Sequence, residues 1–226
     1  MSIWSRIAEA LSALTSGEAL SSVFDKLRSP PERTVAFAIA VIALAAKMAK
    51  ADGQVTRDEV TAFREVFSIA AQDEAGAARV FNMARTDVAG FESYATRIYK
   101  MFHEDPCTLK DLMEGLFHIA MADGFYHPNE DAFLERVAEI FEVHEHEFKG
   151  MRARFVPDAD TDPYTVLGLN PDMSFDEMRK AWRKLARENH PDAMIARGIP
   201  EEAIVLAGKR MRDINRAWDD IQKEHA

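Results

Sequence analysis

"RKLARENHPDAM", from Arg183 to Met194, decides how the C-terminal part of this chain folds. Its first half is basic and free of helix breakers, so it continues a helix. His190-Pro191-Asp192 then interrupts. The residue before a proline is biased out of the helical region, so the helix stops before Pro191. Upstream, Ser174 and Glu177 stand in capping-box spacing and set the start of a helix over 174–189. Met178, Ala181 and Leu185 form its apolar stripe. Arg179, Lys180, Arg183, Lys184 and Arg187 form a broad basic face. Downstream, a last helix is expected to begin near Pro200-Glu201-Glu202. Ala207, Met211, Ile214, Trp218 and Ile221 recur there at steps of four and three, the seam of an antiparallel helix pair. "DPYTVLGL" (162–169) reads as a short helix ending near Gly168. The apolar seam from Met178 to Ile221 is expected to be self-contained. His190-Pro191-Asp192 then lies at the exposed tip of a helical hairpin, stiffened by proline.

Tyr164, Leu167 and Gly168 in the order Y-x-x-L-G, the basic "KAWRKLA" helix, the His-Pro-Asp tripeptide and "INRAWDDI" together resemble the J domain, the DnaJ-type co-chaperone module. The resemblance implies docking on a DnaK-type ATPase and acceleration of its ATP hydrolysis, which traps a client. It implies no bond chemistry in this chain, so no enzyme activity, no catalytic residue and no cofactor are expected. The partner-binding residues it implies are His190, Pro191, Asp192, Arg179, Lys180, Trp182, Arg183, Lys184 and Arg187. Their chemistry suits the role. The basic side chains steer the module onto an acidic surface, and Asp192 accepts a charged hydrogen bond from a partner arginine. The bland alternative is a solvated basic face followed by an ordinary turn. Two positions depart from the family: Ala193 stands where lysine usually follows the tripeptide, and Trp182 where tyrosine is common. The first removes one positive charge beside the docking surface.

Composition is consistent with an all-α chain. Glycine and proline are sparse, and hydrophobic residues make up 47% of 226 residues. The formal charge of -10 argues against general nucleic-acid binding. That charge is uneven: residues 162–226 carry a net of -1 and residues 1–161 a net of -9. Cys107 is the only cysteine, so no intrachain disulfide forms and a reducing, cytoplasmic location is expected. The most apolar run, "VAFAIAVIALAA" (35–46), is too short for a bilayer span of about 20 residues and reads as a buried helix. Three segments follow: an N-terminal amphipathic segment (1–32), a helical bundle of about seven helices (33–155), and a linker with the C-terminal module (156–226). The first segment carries Ile3, Trp4, Ile7, Leu11 and Leu14 at helical spacing. Packing on the bundle is expected of it, with a membrane-surface role as the alternative.

The bundle contains a repeat. "AAKMAKADGQVTRDEVTAFREVFSIA" (45–70) matches "LFHIAMADGFYHPNEDAFLERVAEIF" (116–141), each copy reading as helix, tight turn, helix. Gly53 and Gly124 suit the left-handed position that ends a helix. Thr56 with Glu59, and His127-Pro128 with Glu130, occupy the frame that caps the next one. The pair resembles the TerB-like (tellurite-resistance B) helical domain. That resemblance implies a divalent-metal site at Asp52, Glu59, Asp123 and Glu130. The structural alternative is that these aspartates terminate helices and the glutamates cap them. The order of the two parts, with "DAMIARGIPEEAIVLAGKRM" between the module's helices, further resembles the DjlA-like, membrane-anchored branch of the DnaJ-type proteins. The function expected is therefore that of a co-chaperone whose TerB-like part selects the client or the location. A metal-binding stress-response protein, or an adaptor with an inactive J module, is the alternative. The client is not legible.

Overall fold

The structure, a computed structural model, describes residues 3–12, 20, 23–27, 32–52, 74–87, 90–156, 162–199 and 204–225. Every regular element among them is a helix: α1 (Ile3–Ser12), α2 (Val23–Lys26), α3 (Glu32–Asp52), α4 (Glu74–Thr86), α5 (Phe91–Phe102), α6 (Pro106–Ala120), α7 (Pro128–Ile140), α8 (Glu145–Phe155), α9 (Pro163–Leu167), α10 (Phe175–Glu188), α11 (Pro191–Ala196) and α12 (Val205–Glu224). The all-α expectation holds.

α3 is the axis of the bundle. Its residues 35–49 are buried without interruption, which only a helix surrounded on all sides allows. It packs on α1, α4, α5, α6 and α7. The one charge in that run, Lys47, donates to the carbonyl of Asp87 at 2.8 Å and lies over the Tyr94 ring. The apolar run is thus a core helix, and no described helix is long and apolar enough to cross a membrane. α1 lays Ile7 and Leu11 into the same core, as expected of a segment that packs on the bundle.

α9, α10 and α12 form a second, smaller core from Val166, Leu167, Met178, Ile214, Ala217, Trp218 and Ile221. Asp162 caps α9 by accepting from the Thr165 N–H at 2.9 Å, and Gly168 ends it in the left-handed region (φ 64°). α10 opens on the expected box: the Ser174 N–H and hydroxyl both donate to the Glu177 carboxylate (2.9 and 2.6 Å).

The expected self-containment fails. Ala153 of α8 belongs to the smaller core. Met194, Ile199 and Ala207, which follow the tripeptide, belong to the core of the bundle. The apolar positions of α12 are therefore divided between two cores, because its first turns face the bundle and only its later turns face α10. α8 and α9 touch backbone to backbone at Gly150, where any β-carbon would come within 2.9 Å of the Thr165 carbonyl. The segment after the tripeptide also differs from an open loop. Pro191 is the first residue of the six-residue helix α11, where its fixed φ and missing N–H cost nothing. The proline that ends one helix starts the next. Residues 200–203, where the last helix was expected to begin, lie outside the described residues.

Candidate functional site

The tip at 190–192 is built by its own first two residues. His190 caps α11, with Nδ1 accepting from the Asp192 N–H at 3.2 Å. Pro191 sets the first helical φ. Asp192 is left over: its carboxylate stands 88% exposed, 3.7 Å from the His190 ring. Two residues shape the turn and the third is presented.

The basic face divides. Lys180, Arg183 and Arg187 are exposed and form no ion pair with a described residue. Arg179 lies over the Phe175 ring at 4.9 Å and approaches Asp176 at 3.6 Å. Lys184 pairs with Glu188 at 3.7 Å. It borders a cleft of about 620 Å³ between α10 and the bundle, lined also by Cys107, Lys110, Glu147 and Leu185. Trp182 is half-buried, stacked on Trp218 at 5.0 Å with the rings nearly parallel. It buttresses the module as well as bordering its surface. The cleft does not activate Cys107: burial pushes its thiol above the ordinary range, which disfavours the reactive thiolate.

The residues named for metal binding in the second repeat act locally. Asp123 accepts from the Phe125 N–H at 2.9 Å, shaping the turn that Gly124 (φ 84°) completes. Glu130 is buried and accepts from the His127 N–H at 3.0 Å, half of the expected box. Asp52 ends α3, but its side chain and the whole of Glu59 lie outside the described residues. No cluster of three or more His, Cys, Asp or Glu side chains suited to a metal occurs among the described residues. His144 and His146 are exposed, and their rings stack at 5.7 Å. His144 precedes α8 as its cap, outside the helical backbone, which lets the two rings share one side.

Five charged residues at the junction of bundle and module escaped the sequence reading. Asp111 and Glu114, on α6, are both buried. Asp111 accepts from Arg210 Nη1 and from Arg197 Nη2, each at 2.7 Å. Glu114 accepts from Arg154 Nη2 at 2.5 Å and pairs with Arg210 Nε. Arg154 also donates to the carbonyl of Val166 at 3.0 Å, crossing from α8 to α9. Desolvation disfavours the charge of Arg210, but the attraction of Glu114 and Asp111 outweighs it and raises its pKa. The signal lay in "LKDLMEGLFHIAM": two acids three apart on one face of an otherwise apolar helix must be buried against cations. Which arginines answer them is a tertiary fact.

Comparison with known proteins agrees with this division. The family model described as tellurite resistance protein TerB matches residues 38–153, slightly more than half of the chain. The DnaJ domain model matches residues 162–225. The chain is similar to a co-chaperone protein DjlA of Photobacterium profundum, 26% identical over 85% of this chain and 79% of the relative. A co-chaperone protein DjlA of Coxiella burnetii is 24% identical over 78% and 73%. One from Shewanella oneidensis is 38% identical over a shorter stretch, 28% of this chain and 24% of the relative. No solved structure matches.

Proposed function

We propose, for a chain that belongs to the TerB family and carries a J domain at its C-terminus, that it is a co-chaperone whose tip couples docking on a DnaK-type ATPase to ATP hydrolysis. The observation that carries this reading is the division of labour at 190–192. His190 and Pro191 build the turn, and Asp192 stands exposed just past the end of the helix that carries the exposed cations Lys180, Arg183 and Arg187. A carboxylate held outward on a short helix can accept a charge-assisted hydrogen bond from a partner arginine. The exposed cations of α10 favour encounter with an acidic surface. The printed name of the relatives, co-chaperone protein DjlA, supports the same reading. On this reading the protein performs no bond chemistry itself. The TerB domain supplies client or location specificity. The cytoplasm is the proposed location, because a DnaK-type partner needs ATP.

Asp192→Asn is expected to remove stimulation of the cognate DnaK-type ATPase in a single-turnover assay while leaving the melting temperature nearly unchanged. Arg183→Glu with Lys184→Glu is expected instead to weaken docking and flatten its salt dependence, because those charges act at a distance. Stimulation that survives Asp192→Asn overturns the coupling role. No stimulation by the unmodified chain favours an adaptor with an inactive module and directs attention to Ala193.

A further inference from the structure

The last turn before the tip is tied to the TerB domain through two arginines of its own module. Asn189, the residue preceding His190, donates through Nδ2 to the Leu185 carbonyl at 2.7 Å and so closes α10. Its Oδ1 accepts from Arg210 Nη1 at 2.5 Å. The carbonyl of Glu188, one residue earlier, accepts from Arg197 Nη1 at 2.9 Å. Both guanidiniums then reach the same buried carboxylate, Asp111 of the TerB domain. One side chain of the bundle thus stands two hydrogen bonds from the tip by two separate routes.

We infer that Asp111 is a positioning residue for the tip. Through Arg197 and Arg210 it fixes the last turn of α10, and with it the direction in which Asp192 is presented to the partner. The consequence for ATP hydrolysis rests on the function proposed above; the positioning itself does not.

Three features carry the inference. First, both limbs of the tip are tied to one body. Glu188 and Asn189 hold the incoming limb, Arg197 belongs to the outgoing one, and Met194 and Ile199 of that limb are buried in the bundle core. Gly198 turns the outgoing limb in the left-handed region (φ 85°), where a β-carbon would lie 3.4 Å from Thr34 Oγ1. Second, the chemistry requires a carboxylate. Its two oxygens each accept from a different cation, whereas an amide offers one acceptor and turns two donors toward the second guanidinium. Third, a buried ionic cluster of this kind is poorly explained as stabilisation, because the desolvation of its members offsets much of their attraction. Defining one arrangement of the two parts explains it better. Asp192 remains open to solvent throughout, so the network orients the tip without covering it.

The test uses the full chain and two variants. Asp111→Asn weakens the network. Asp111→Leu with Arg210→Met replaces its central pair by apolar groups of similar bulk and leaves Glu114 its pair with Arg154, while removing the hold on Asn189. Val80→Ala, buried in the bundle away from the junction, serves as a destabilised control. Amide hydrogen exchange across 188–194 is expected to accelerate about tenfold in both network variants, with α3 still protected, and to stay unchanged in the control. Maximal stimulation of the ATPase is expected to fall about tenfold, with little change in the half-saturating concentration, because Lys180, Arg183 and Arg187 are untouched. Unchanged exchange at 188–194 in the double variant overturns the inference. So does acceleration that merely follows that of α3, or maximal stimulation equal to the unmodified protein's. If the unmodified chain gives no stimulation but exchange behaves as expected, the co-chaperone function falls and the positioning role stands.

Discussion

The TerB bundle and the J module solve the same problem, burying helices, in opposite ways. The bundle encloses α3 so completely that residues 35–49 all lose contact with solvent. Within α10 of the module only Met178 is buried, and much of that helix carries charge outward. The bundle is therefore a body with a large apolar core, whereas the module is a thin support for a presented surface. Its small core is completed by Ala153 of α8, and Met194, Ile199 and Ala207 are placed in the neighbouring core. At the junction the tip is held by Arg197 and Arg210 on its incoming limb and by Met194 and Ile199 on its outgoing limb.

Cutting the smaller core gives the largest expected effect. Trp218→Ala removes the ring that stacks on both Phe175 and Trp182 and is expected to cost about 3–5 kcal/mol. Hydrogen exchange should then show α10 and α12 opening while α3 stays protected. Simultaneous loss of protection in all three would mean that body and module form one cooperative unit, and the contrast drawn above would fail.

Met194→Ala tests the border between the two. Its side chain leaves the tip to enter the bundle core, and the truncation is expected to cost about 2–4 kcal/mol. Most of that cost should fall on the attachment of the module rather than on its helices. Limited proteolysis should find cleavage within 195–199 before any change in the helical circular-dichroism signal. Cleavage equal to that of the unmodified chain would show that the apolar contact is not what attaches the outgoing limb.

The smallest effect concerns the start of α10. The Ser174 hydroxyl and backbone N–H hold the Glu177 carboxyl below the ordinary carboxylate range. The folded state thus takes up this proton less readily than the unfolded chain. Its contribution is complete above the ordinary range and is lost as pH falls through the lowered value. Nuclear magnetic resonance should show the amides of 175–180 loosening in acid before those of α3, and Glu177→Gln should abolish that difference. A loosening that persists in Glu177→Gln would assign it to another group.

Much was legible along the chain because it depends on neighbours in sequence. The capping box at Ser174 and Glu177, the left-handed Gly168 and Gly124, and the buried character of 35–46 are local or periodic signals. Each is read within a few residues of where it acts. The tripeptide was legible for the same reason, since His190, Pro191 and Asp192 build their turn among themselves. Pro191 was half read: its power to stop α10 was seen, its fitness to start α11 was not, because two local rules apply to one residue. The roles of Asp123 and Glu130 in turn and cap were visible as alternatives to metal binding. The side chain of Asp52 and the whole of Glu59 lie outside the described residues.

Sequence by itself determined the helices, their breaks, the two-part order and the residues offered at the tip, because propensity, periodicity and turn chemistry act over one or two turns. Only tertiary structure decided that the parts share their cores and that Asp111 and Glu114 on α6 meet Arg154, Arg197 and Arg210. Asp111 and Arg210 are 99 residues apart. Nothing local distinguishes Arg210 from the exposed arginines around it. A buried carboxylate states that it needs a cation, but which cation arrives depends on how the chain closes on itself.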